Sequence, residues 1–116
     1  MARFTRLHVW QQARELLRLV SAASNGMRAE GDLKSQIRRA AISVASTIAE
    51  GSEHGSDREF RRFLIMAKAS AAEVEAQAII AGDLGCLDLG IAGEIVERAQ
   101  VVARMLNRLI ARLEAG

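Results

Sequence analysis

Between Gln36 and Gly51 the chain reads QIRRAAISVASTIAEG, and few folds accommodate that stretch. At about 100° per residue, Ile37, Ala40, Ala41, Val44 and Ile48 fall on one side of a helix. Arg39, Ser43, Ser46 and Glu50 form a polar stripe, and Ile42, Ala45 and Ala49 a third, small apolar face. A helix lying on a protein surface needs one apolar face. Nearly two, built mostly from small side chains, call for several close helix neighbours. Glu50-Gly51 is expected to close the helix, because glycine tolerates the left-handed conformation that ends helices.

The rest of the chain agrees with closely packed helices. Trp10, Phe4, Phe60 and Phe63 are the only aromatic residues and there is no proline, so the core must be Ala, Leu, Ile and Val. A first helix is expected from Thr5 to Ala23, with Val9, Ala13, Leu16, Leu17 and Val20 inward. Ser24-Asn25-Gly26 breaks it, and Glu30-Gly31 leads to Asp32, a candidate N-cap for a second helix over Leu33 to Glu50. Ser56-Asp-Arg-Glu59 has the form of a capping box opening a third helix that runs to about Leu84. Its apolar face is Phe60, Phe63, Leu64, Ala67, Ala71, Val74, Ala78 and Ala81, with Gly82 tolerated in the last turn and Gly85 as the stop.

After Asp88-Leu-Gly90 a fourth helix is expected to reach Glu114. Ile91, Ile95, Ala99, Val102, Leu106, Leu109 and Leu113 step along it at the spacing of a bundle seam. Four helices with short connections predict an all-α, antiparallel, up-down-up-down four-helix bundle, one domain over residues 1–116. Ile42, Ile65, Ile79, Ile80, Val96, Val101 and Met105 are left over from the seams, which favours an oligomer.

Catalytic chemistry finds little purchase. The paired Glu-x-x-His motifs of di-iron bundles are missing, and so are P-loop and dinucleotide fingerprints. Glu50, Glu53 and His54 gather around a helix-breaking glycine that does not fix metal geometry. Ser70 and Glu73 share a flank without a base for the serine. Cys86 alone forms no intramolecular disulfide and reads as a small apolar side chain near a helix end. The sequence predicts no enzyme, no cofactor and no metal. The N-terminal residues are interrupted by Arg and Gln, and no apolar run reaches the roughly 20 residues that span a bilayer. A cytoplasmic, soluble protein is the expectation.

Charge is more suggestive. Residues 1–68 hold twelve basic and seven acidic side chains, residues 69–116 four and seven, and fourteen of the sixteen cations are arginine. Lys34, Arg38 and Arg39 on the second helix, with Arg58, Arg61, Arg62 and Lys68 on the third, form a candidate surface for RNA or DNA. With so few aromatics, recognition would rest on backbone and shape. The competing reading is structural: Arg39 and Arg62 pair with Glu50, Glu59 or Glu73, or bridge subunits in a protein-interaction scaffold. Arg104, Arg108 and Arg112 form an i, i+4 ladder suited to the negative end of the fourth helix, a stabilising role.

Several segments resemble a known family. Leu7-x-Val9-Trp10-Gln11-x-Ala13, Gln36-Ile-Arg-Arg-Ala-Ala41-x-Ser43-Val44, Ile48-Ala-Glu-Gly51, Glu59-Phe60-x-Arg62-Phe63-Leu64 and Ser70-x-x-Glu73-x-Glu75 are similar to the four-helix-bundle proteins named after the 23S ribosomal RNA intervening sequence. The order is kept over nearly the whole chain. Ala45 stands where that family commonly has Pro, Thr47 where Asn is usual, and Ala69 where Gly usually precedes the serine. The missing Pro should straighten the second helix, and the missing Asn removes a polar contact. The resemblance implies an antiparallel bundle assembling as a homopentamer. It also implies kinship with the accessory variability proteins of retroelements, whose partners are nucleic acid and a reverse transcriptase.

Overall fold

A computed structural model describes residues 3–27 and 32–115. A 3-10 turn over Arg3–Arg6 leads into α1 (His8–Asn25), α2 (Leu33–Ser52), α3 (Asp57–Asp83) and α4 (Leu89–Ala115), with no strand among the described residues. The bundle measures 45 × 25 × 21 Å. α1 packs against α2 and α4, and α3 against the same two, while the diagonal pairs do not approach among the described residues. Gly51 at the end of α2 lies on Phe60 and Phe63 at the start of α3. Arg61 at the start of α3 pairs with Glu114 at the end of α4. Leu7 and Val9 at the start of α1 share a groove with Leu109 and Arg112 near the end of α4. Neighbouring helices are therefore antiparallel, as the short connections imply.

Sequence periodicity and burial agree most closely on α3, where all eight residues of the expected apolar face are buried. Four of them are alanine, which brings the backbones of neighbouring helices close. The larger side chains fill what remains: Leu16, Ile37, Ile48, Leu64, Ile95 and Leu106 are fully buried, each contributing about 1.5–3 kcal/mol by leaving water. Ser56 caps α3, its Oγ accepting the Glu59 backbone N–H at 3.1 Å. Asp88 caps α4 by accepting from Gly90 and Ile91 at 3.0 and 3.2 Å. Gly85 takes φ +74°, and the Cys86 N–H donates back to Ala81 at 2.9 Å, a turn that needs a residue without a Cβ strain penalty.

Several expectations are corrected. The first α-helix starts at His8 rather than Thr5, because Leu7 is extended and Phe4 folds back edge-on to Trp10 at 5.0 Å. It also runs two residues past Ala23, to Asn25, with buried Ser24 donating its hydroxyl to the Ser21 carbonyl. Asp32 precedes α2 as expected, but its side chain makes no cap hydrogen bond. Glu30 and Gly31 lie outside the described residues. Gly51 does not end α2: the helix continues to Ser52 and its C-cap, Glu53, is right-handed. Gly51 is small because α3 crosses there, not because the chain turns. With Ala45 in place of Pro, α2 runs without interruption from Leu33 to Ser52. On α4 it is Ala92, not the exposed Ile91, that starts the buried seam. The helix itself begins at Leu89, two residues before the start expected after Asp88-Leu-Gly90.

Candidate functional site

The seven basic residues singled out in the sequence do not form one patch. Ser43 of α2 faces Ser70 of α3, their hydroxyls 3.0 Å apart, and Gly51 faces Phe63. Antiparallel packing in that register sets Arg38 level with residues near 75 of α3. At 1.5 Å rise per residue, Arg38 and Arg61 are then separated along the axis by about 20 Å. Lys34, Arg38 and Arg39 mark one end of the bundle; Arg58, Arg61 and Arg62 mark the other, and Lys68 lies between.

Three of these cations are already engaged. Arg62 Nε donates to Glu59 at 2.8 Å, and its guanidinium lies over the Phe63 ring, 4.9 Å from the centroid. His54 stacks on Phe63 as well, at 4.8 Å. The Arg62 hydrogen bond holds the exposed Glu59 carboxyl below its ordinary pKa, and Glu59 in turn raises that of Arg62. Glu59 thus serves Arg62, leaving the capping box with only its Ser56 half. Arg61 reaches Glu114 at 3.5 Å and keeps a buried Nε without a partner. Arg39 meets Asp32 at 3.7 Å, both side chains exposed. Of the acids expected to neutralise Arg39 and Arg62, only Glu59 does so. Lys34, Arg38, Arg58 and Lys68 make no ion pair among the described residues.

The end of α4 brings together a group that spacing alone does not reveal. Arg108 and Arg112 line a groove with Arg6 from the 3-10 turn and His8 from the start of α1, over Leu7, Val9, Met105 and Leu109. None of its three arginines has an acidic partner among the described residues. The ladder on α4 was visible in the sequence; its meeting with Arg6 and His8 depends on the antiparallel return of the chain. Further along the same two helices Glu15, Glu94 and Glu97 line a second groove with Arg18 and Arg98.

Apolar residues left outside the core concentrate on α3. Ile65, Met66, Ile79 and Ile80 are 44–47% exposed, and Ala69, Ala72 and Ala76 between them are exposed too. Ile42 on α2 is half exposed. Val96 and Met105, expected on the exterior, instead pack against the core, and Val101 is half-buried. Leu84, Leu89 and Ile91 add an exposed apolar cluster at the α3–α4 turn.

Among the described residues no three His, Cys, Asp or Glu side chains are grouped so that they could hold a metal ion. Ser70 faces Ser43 and not a base. No helix is long and apolar enough to cross a membrane among the described residues.

The family model of the 23S rRNA-intervening sequence protein matches residues 5–108. The chain belongs to that family. A comparison with curated proteins gives no match. For this member of the 23S rRNA-intervening sequence proteins, the match runs from the 3-10 turn through most of α4. It includes Ser43, Gly51, Phe63 and Ser70, the residues that set the register of α2 on α3.

Proposed function

We propose that this protein works by association rather than catalysis, as a helical scaffold that assembles with copies of itself through the outward face of α3. The observation that carries this reading is the stripe from Ile65 through Ala69, Ala72 and Ala76 to Ile80. Isoleucines stand at its ends and only methyl groups between them. Exposed apolar side chains scattered singly need no explanation, but a stripe sustained along one helix face marks an interaction surface. Small residues at its centre allow a second helix to approach closely. The pentamer implied by the family resemblance is one closed assembly such a face could build.

Light scattering on the wild type and on Ala76→Lys tests this. The substitution places a charge on an exposed helical position one turn from Glu73, so the monomer should keep its helicity by circular dichroism. The expected result is an oligomeric wild type and a smaller Ala76→Lys species. A monomeric wild type, or an unchanged mass in the variant, removes the reading.

A second reading, binding of RNA or DNA, is favoured by the unpaired state of Arg58, which lines a groove with Arg61 and Arg62, and of Lys68 further along α3. Assembly would multiply such cations around one particle. A reverse transcriptase or another protein is the further partner that the family resemblance suggests. The cell interior is the setting this reading assumes. Binding to structured RNA that weakens steeply with salt, and is lost in Arg58→Gln/Lys68→Gln without loss of assembly, supports it. Salt-insensitive binding or none leaves the scaffold alone.

A further inference from the structure

We propose that the groove between the start of α1 and the end of α4 binds the phosphate backbone of a nucleic-acid strand. Arg6, His8, Arg108 and Arg112 line it, and Met105 and Leu109 lie half-buried in its floor. Structural duty accounts for only part of this arrangement. Arg112 lies in the last turn of α4, where the helix dipole favours a cation. Arg6 and His8 sit at the opposite pole, beside the positive end of α1, whose first turn contains no acid. The helix dipole disfavours the Arg6 cation there, and no carboxylate among the described residues pairs with the groove's arginines to offset it.

The geometry of the row selects the ligand. Arg108 and Arg112 follow one another at a single helical turn, about 6 Å apart along α4, with Arg6 across the groove and Arg104 one turn beyond its lining. A line of guanidiniums suits a line of repeated anions that can each accept two N–H bonds, which is what a phosphodiester strand presents. The apolar floor can carry the sugar faces. In the neighbouring groove Glu15, Glu94 and Glu97 outnumber Arg18 and Arg98, which makes it less favourable to a polyanion than the basic end. These are not the residues of the second reading above, and the two sites stand or fall separately.

Fluorescence anisotropy of a labelled RNA strand, measured across a salt series, tests the site. The variants are Arg108→Gln/Arg112→Gln, Arg6→Gln/His8→Gln and Arg58→Gln/Lys68→Gln. Each is checked for helicity and assembly mass, so that a misfolded pair is replaced by the other groove pair. The expected outcome is a loss of about tenfold or more in affinity for both groove variants. The Arg108/Arg112 variant should also flatten the slope of log K against log salt by about 1.4, roughly 0.7 per lost contact to a single strand. Unchanged affinity and slope in the groove variants overturn the proposal, and loss confined to Arg58/Lys68 does so while leaving the second reading intact. No binding by the wild type at low salt overturns both. Competition by polyglutamate as effective as by unlabelled RNA reassigns the groove to an acidic protein.

Discussion

Gly51 lies so close to Phe63 that a Cβ built on it would stand 2.5 Å from the Phe63 Cβ. The Phe63 Cβ is fixed by its backbone, so the neighbour cannot swing aside as the tip of a long side chain would. Gly51→Ala gains about 1 kcal/mol of helix propensity but overpacks the α2–α3 crossing at a cost of about 1–3 kcal/mol. Overpacking should win, lowering the urea midpoint. Phe63→Ala alone also destabilises, by opening a cavity, but alanine keeps the Cβ that a Gly51 side chain would meet, so it should not rescue Gly51→Ala. A Gly51→Ala protein at least as stable as wild type would mean that α2 and α3 can separate there.

Eight residues from Gly51, Ser43 meets Ser70 across the same interface, with Thr47 Oγ1 3.5 Å from Ser43. Two half-buried hydroxyls that satisfy each other contribute about 1 kcal/mol, whereas one left alone costs more. Ser43→Ala and Ser70→Ala should each destabilise, and the double variant should recover part of the loss. The cycle is read from urea unfolding, with an expected coupling of about 0.5–1.5 kcal/mol. Additive losses would show that the two hydroxyls act independently.

The apolar face of α3 was legible because its eight buried residues repeat with the period of the helix. The same periodicity could not show why Gly51 is a glycine. Locally, Glu50-Gly51 has the form of a helix stop, and only the crossing of Phe60 and Phe63 over it reveals a packing role. The spread of the seven basic residues along the bundle has a related cause. Arg38 and Arg61 are brought near each other by counting along a connection, and antiparallel packing then places them at opposite ends. Arg6 and Arg112, at the two ends of the sequence, are brought together by that same packing. Helix faces are local properties of a sequence; which ends meet depends on topology.

Caps give a prediction that separates α3 from α4. Ser56 Oγ accepts one backbone N–H and Asp88 Oδ2 accepts two. Replacing either by Ala should cost about 1 kcal/mol, within the range for lost N-caps. Asp88→Ala is expected to be the worse, because its carboxylate is also favoured by the helix dipole. Thermal melts of Ser56→Ala, Asp88→Ala and Asp88→Asn check this, with Asn restoring much of the loss. Equal stability of Asp88→Ala and wild type would show that the turn between α3 and α4 holds α4 in place without its cap.

The pH dependence of Glu59 follows from its hydrogen bond to Arg62. That bond stabilises the carboxylate, so its folded pKa lies below the ordinary glutamate value, which the unfolded chain keeps. The unfolded state therefore binds its proton first as pH falls. The stabilisation is fully present above the unfolded value and disappears as pH drops through the folded one. Glu59 and Arg62 are both exposed to solvent, so salt should weaken the effect. NMR titration of the Glu59 side chain should give a midpoint below that of an unpaired glutamate, moving upward in Arg62→Gln and in high salt. The stability difference between wild type and Glu59→Gln should shrink toward the acid side of that midpoint. A Glu59 titration that does not respond to Arg62→Gln would leave the ion pair without influence in solution. Arg62 would then be held chiefly by its stacking on Phe63.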